Sequence, residues 1–118
     1  MKVIEELPQI QGKQPDSKEE YWVAMALERL RIKYLFQFDL VDPRIRGGIT
    51  IDFLILFPFG IPMEIMGEYW HPGEMEASER FRQNEIENYF GQKVIYLWTL
   101  DLTDPETTYS KVKQVLGR

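Results

Sequence analysis

Cysteine is absent and histidine occurs once, at His71. These gaps exclude disulfides, cysteine-zinc centres, thiol chemistry and histidine-rich metal sites. No Walker-type Gly-Lys-Ser/Thr loop is present, which removes the common nucleotide-triphosphate chemistries. No apolar run reaches the ~18–20 residues of a membrane-spanning helix. The longest, residues 49–61, is broken by Asp52, Pro58 and Gly60. The first 20 residues hold no apolar signal core. A soluble protein of the cytoplasm is the expectation. Positive charge is also short: 14 Lys and Arg stand against 19 Asp and Glu, a net charge of −5. Because phosphate contacts need Lys or Arg, this balance argues mildly against nucleic acid, although a metal centre built from acids would itself skew the count. At 118 residues the chain holds one domain.

What is present concentrates in Gly47 to His71 (GGITIDFLILFPFGIPMEIMGEYWH). Two apolar strands, each with an acid in its middle, are joined by a Pro/Gly turn. Asp52 sits between Ile51 and Phe53, and Glu64 between Met63 and Ile65. A buried, unpaired carboxylate costs several kcal/mol and calls for a partner, a proton or a metal. Two on adjacent strands point to a divalent cation, and hard oxygen ligands suit Mg²⁺ or Mn²⁺. Side chains alternate along a strand, so Glu64, Met66 and Glu68 share a face. The alternative for Asp52 and Glu64 is neutralisation by an arginine such as Arg46 or Arg82.

Elements follow from periodicity. Residues 1–16, with Pro8, Gly12 and Pro15, read as an arm or loop, with an added edge strand or a partner contact at Val3-Ile4 as one use for it. Asp16 or Ser17 caps a helix through about Lys33, with Trp22, Val23, Ala26, Leu27 and Leu30 at helical spacing. Strands follow at Tyr34–Val41, Ile49–Phe57 and Ile61–Gly67, separated by Asp42-Pro43, Gly47-Gly48 and Pro58-Phe59-Gly60. A second helix spans Glu74–Phe90, with Phe81, Ile86, Tyr89 and Phe90 on its apolar side and Gly91 as its stop. Its acids, including Glu76, Glu79, Glu85 and Glu87, read as a solvated face. Lys93–Leu100 is a fourth strand, and Asp104-Pro105 opens a last helix to about Leu116. The order αβββαβα specifies an α/β domain over residues 17–118, a mixed four-stranded sheet flanked by helices.

These residues resemble the PD-(D/E)XK nuclease superfamily, in the small branch related to very-short-patch repair endonucleases and phage-encoded nuclease-like proteins. Glu20 in the first helix, Phe36-Gln37, Arg46-Gly47-Gly48, Asp52-Phe53-Leu54, Glu64-Ile65, Gly67-Glu68-Tyr69-Trp70-His71, Arg82, Gly91 and the strand Val94–Trp98 occur in the family's order. The resemblance covers about residues 17–98 and implies a restriction-endonuclease-like core. It also implies metal-dependent hydrolysis of DNA phosphodiester bonds, including structured or nicked DNA, and a phage origin in the host cytoplasm.

In that pattern Asp52, Glu64 and the backbone carbonyl of Ile65 ligate Mg²⁺ or Mn²⁺, while Glu20, Glu68 and His71 are auxiliary catalytic groups. A neutral imidazole at His71 could act as general base. Arg44 and Arg46, on the glycine-rich loop, would meet DNA phosphates, and Tyr69 and Trp70 would form packing or a base-stacking wall. So little basic surface implies a homodimer or a larger protein partner to grip DNA. The pattern departs at one place: the superfamily usually has Lys two residues after the Glu, and this branch often Gln or Asp, where this chain has Met66. A thioether cannot orient water or stabilise a phosphorane as an ammonium or amide does. A catalytically inactive nuclease-fold module for DNA binding or protein assembly is therefore the alternative reading.

Overall fold

The computed structural model describes residues 6–41, 48–67 and 75–118. Helix α1 (Lys18–Arg29) leads into strands β1 (Tyr34–Leu40), β2 (Ile49–Ile55) and β3 (Ile61–Met66). Helix α2 (Ala77–Phe90), strand β4 (Ile95–Trp98), a short 3-10 turn at Thr99–Asp101 and helix α3 (Pro105–Val115) complete the order. The strands lie in the order β1-β2-β3-β4. The first three form an antiparallel meander, and β4 pairs parallel with β3. The fold is the expected α/β arrangement, a mixed sheet flanked by helices.

Ser17 caps α1 by accepting the N–H of Glu20. The helix stops earlier than its periodicity suggests. Arg31 turns left-handed at φ 58°, so that Arg31 N–H reaches Glu28 O and Ile32 N–H reaches Leu27 O. This pairing satisfies the last carbonyls and turns Ile32 into the core. Glycine is the usual residue there, and its absence hid the stop. Asp104 caps α3 by accepting the N–H of Thr107, with Pro105 at the first position as expected.

The main core joins Val23, Ala24, Ala26 and Leu27 of α1 with Phe36, Phe53, Met63 and Leu97 of the sheet and Val112 of α3. A smaller core under α2 gathers Ile51, Ile86 and Val94, with Phe38, Ile49, Phe90 and Tyr96 against it. Phe81 and Tyr89, expected on the apolar side of α2, are 65% and 48% exposed, and Ile86 alone among the helix's residues is buried. Glu87 is more than a solvated acid: its Oε2 accepts the N–H of Val94, tying the end of α2 to the approach to β4.

The two cores meet at a break in strand alternation. Phe36 and Phe53 belong to the main core, but Phe38 and Ile51, two residues away on the same strands, pack under α2. Strict alternation would keep each pair on one face. Between them Gln37 lies at φ 49°, and the β1–β2 pairing passes over Gln37 and Asp52 before resuming at Phe38 and Ile51.

The N-terminal segment braces this break. Ile10 and Lys13 exchange backbone hydrogen bonds around a turn at Gln11-Gly12. The Gln11 carboxamide donates to Tyr34 O and accepts from Phe36 N–H, occupying the free edge of β1 as a peptide would. Lys13 Nζ donates to Phe36 O and Gln37 O. The edge of β1 is thus held by the turn between Ile10 and Lys13; Val3 and Ile4, where an added strand or partner contact was expected, lie outside the described residues. Among the described residues no helix is long and apolar enough to cross a membrane.

Replacing Arg31 by glycine removes the left-handed penalty at the end of α1. The substitution Arg31→Gly is expected to raise unfolding stability by ~0.5–1 kcal/mol in urea titration; a loss of stability would contradict this account of the helix stop.

Candidate functional site

The sheet opens at the two strand acids. β2 and β3 pair from Ile55–Ile61 through Phe53–Met63. One step further the register sets Asp52 opposite Glu64, but there the side chain of Asp52 takes over: its Oδ2 accepts the N–H of Ile65 at 2.8 Å. Beyond this point β3 continues beside β4, with Glu64 opposite Tyr96 and Met66 opposite Trp98. The two carboxylates therefore stand at a fork between the antiparallel and parallel halves of the sheet.

Their surroundings differ. Glu64 is buried and held by Arg82, whose Nη1 donates to Oε1 and whose Nη2 donates to Oε2 at 2.8 Å. Arg82 Nη2 also donates to Thr50 O at 2.7 Å, so one guanidinium spans β2 and β3. Helix geometry explains its reach: Arg82 lies one turn before Ile86, the buried residue that seats α2 on the sheet. Burial works against the charge of Arg82, but the hydrogen bonds and charge of Glu64 outweigh it and hold the guanidinium protonated.

Among the described residues, no such cation is hydrogen-bonded to Asp52. Burial pushes its carboxyl up to about 6, opposed by the Ile65 N–H and reinforced by the charge of Glu64. Glu20 enters from α1 and is 7% exposed. Burial, then the charges of Asp52 and Asp16, raise it to about 7, against a lowering hydrogen bond from Gln37. Its Oε1 is buried with no hydrogen-bond partner among the described residues. The left-handed backbone at Gln37 thus occurs where β1 passes both acids, Asp52 across the register and Glu20 through the carboxamide.

Of the residues singled out by sequence, Asp52, Glu64 and Ile65 come together at the fork and Glu20 couples to Asp52 by charge. Glu68, His71, Tyr69, Trp70, Arg44 and Arg46 lie outside the described residues. Arg82 does to Glu64 what the arginine alternative anticipated, with its hydrogen bonds going to Glu64 and Thr50 O and only its charge reaching Asp52. Gln37 enters the sequence reading only through the Phe36-Gln37 pair of the family resemblance and Gln11 not at all, because neither residue type favours a left-handed or edge-capping role.

Among the described residues, no three His, Cys, Asp or Glu side chains stand close enough to enclose a metal ion. The donors at the fork, two carboxylates beside a strand carbonyl, with an orphaned carboxylate oxygen behind, still fit a hard cation that takes its remaining ligands from water or phosphate. The surface hollow lined by Leu30, Arg31, Ile32, Lys33, Phe57 and Arg118 includes none of these acids.

The fold superposes on the catalytic domain of the homing endonuclease I-Bth0305I with a TM-score of 0.53, covering 81% of this chain and 90% of that one at 17% identity. A nuclease catalytic domain thus shares this fold. By sequence, no family model and no curated protein matches the chain.

The raised carboxyls set a direction for pH. Charging Glu20 and Asp52 costs more in the folded than in the unfolded chain, so stability from their neutral forms is full below about pH 4 and lost as pH climbs through 6 to 7. Thermal melting of the metal-free protein should therefore show a falling contribution over this window. Glu20→Gln should reduce that slope and stabilise the protein at pH 7.5 by ~1 kcal/mol; an unchanged slope would contradict the assigned cost.

Proposed function

We propose that the chain is a metal-dependent endonuclease that hydrolyses DNA phosphodiester bonds, including those of structured or nicked DNA. The observation that carries the reading is the fork itself: Asp52 and Glu64 face each other where the β2–β3 pairing ends, backed by the orphaned Glu20 oxygen. The shared fold with a homing endonuclease catalytic domain supports it.

Asp52, Glu64 and the Ile65 carbonyl would hold Mg²⁺ or Mn²⁺. A divalent cation there supplies Lewis acidity toward the scissile phosphate and lowers the pKa of water. The chain's own groups do the rest. Asp52 is oriented by the Ile65 N–H, and Glu20 supplies further negative charge behind it. Glu68 and His71 serve as auxiliary groups that position water or carry its proton. Arg44 and Arg46 contact backbone phosphates, and Tyr69 and Trp70 form a wall for bases. A second subunit or a larger partner supplies the basic surface that a net charge of −5 leaves scarce.

A second reading, an inactive nuclease-fold module for DNA binding or assembly, is favoured by two observations. Arg82 engages both oxygens of Glu64, and Met66 stands on the Glu64 face where a lysine would be expected.

Cleavage of single-stranded, duplex, nicked and branched DNA with Mg²⁺ or Mn²⁺ separates the readings. The wild type should cut at least one substrate, and Asp52→Ala should cut it ~100-fold or more slowly. A folded wild type that binds DNA but cuts none of the panel would transfer the conclusion to the second reading. Independently, Arg44→Ala with Arg46→Ala should weaken DNA binding and lower its salt dependence by about 2 in log–log slope; an unaltered slope would remove these arginines from the interface.

A further inference from the structure

Met66 leaves β3 without a basic group on the face of Glu64. The same face receives a cation from another element. Arg82 reaches across from α2 and touches both Glu64 oxygens. Its Nη2 has a second attachment, Thr50 O at 2.7 Å on β2. That attachment matters because it does not depend on Glu64. If a divalent cation takes the Glu64 carboxylate, the guanidinium loses its anion but keeps its backbone anchor. It is then a charged, partly buried fork beside the acids with its N–H groups free for another anion. A phosphate oxygen matches that need in charge and planar two-point geometry.

Resting on the nuclease reading, we propose that Arg82 is a catalytic residue: it leaves Glu64 for the scissile phosphate and takes the place of the strand lysine that Met66 lacks. In hydrolysis, a water oxygen forms a bond to phosphorus and the bond to the leaving sugar oxygen breaks. The water gives up a proton and the leaving oxygen gains one, yielding a phosphomonoester and a free hydroxyl. Arg82 transfers no proton. Its charge offsets the negative charge that builds on the non-bridging oxygens as the new bond forms.

A purely structural Arg82, one that only holds Glu64 in place, makes a different forecast. Losing it would spoil the cation site and cleavage together. As a phosphate group it also competes with the cation for Glu64, so losing it should leave cation binding unharmed. Calorimetry with Mn²⁺ and cleavage assays on Arg82→Gln distinguish these. Mn²⁺ affinity should be unchanged or tighter while cleavage falls ~100-fold, and Met66→Lys added to Arg82→Gln should restore cleavage at least about tenfold. Weaker Mn²⁺ binding in step with lost cleavage would overturn the proposal, as would full activity in Arg82→Gln or no recovery in the double variant.

Should Arg82→Gln not fold, Met66→Lys in the otherwise unaltered chain gives the answer. With Arg82 already supplying the charge, cleavage should change by less than about threefold; a gain of about a hundredfold would show that the face lacked a cation and overturn the proposal. A wild type that neither binds Mn²⁺ nor cuts DNA would fail the nuclease reading itself and this proposal with it. A wild type that cuts with Arg82→Gln equally active would fail this proposal alone.

Discussion

The hydrogen bond from Ile65 N–H to the Asp52 carboxylate is the hinge of the structure. It lies where the β2–β3 ladder would otherwise continue, and it substitutes a side-chain acceptor for a backbone one. A buried strand N–H left unpaired would be costly, so the bond lets the sheet open without an orphaned donor. Opening the sheet places Asp52 against Glu64 in a partly buried setting, and the remaining features answer that concentration of charge. Arg82 crosses from α2 to neutralise Glu64. Asp52 and Glu20 are not neutralised so directly, and their carboxyls are pushed up to about 6 and about 7. Among the described residues the charge of these acids is thus left for a proton or a cation to relieve.

The break in β1 and β2 belongs to the same arrangement. Alternation carries Phe36 and Phe53 into the core with α1 and α3, and the left-handed Gln37 lets Phe38 and Ile51 pack instead beneath α2. Glu20 and Arg82 approach the acids from different helices, so a sheet that changes its core partner at this row brings both helices to bear on one place. Gln11 and Lys13 hold the exposed edge of β1 at the same row. Backbone strain at a non-glycine residue persists where the surroundings over-determine it, and here four contacts from the N-terminal turn do so.

Much of this was legible in the sequence because it is local. Ser17, Pro105 and Gly91 mark helix ends by their own chemistry, and the acids that interrupt two apolar strands, Asp52 and Glu64, mark the row where the β2–β3 pairing ends. The rest is tertiary. Arg31 ends α1 in a conformation its residue type does not advertise. Gln37 breaks a strand that reads as regular, and Phe81 and Tyr89 follow the helical spacing yet stay exposed. Arg82 could be named as a partner for the acids, but choosing Glu64 over Asp52 requires knowing where α2 lands. Glu87 reads in the sequence as one more surface acid, because the Val94 N–H that it accepts is placed by the turn after α2.

In the proposed site a divalent cation would sit at the fork between β2 and β3 and share Glu64 with Arg82. Crystals grown with Mn²⁺ and measured for anomalous scattering test it most directly. The account predicts a peak between the carboxylates of Asp52 and Glu64, beside the Ile65 carbonyl, with Arg82 displaced from Glu64 and still bonded to Thr50 O. No peak at the fork at saturating Mn²⁺, with the Arg82–Glu64 pair intact, would contradict it.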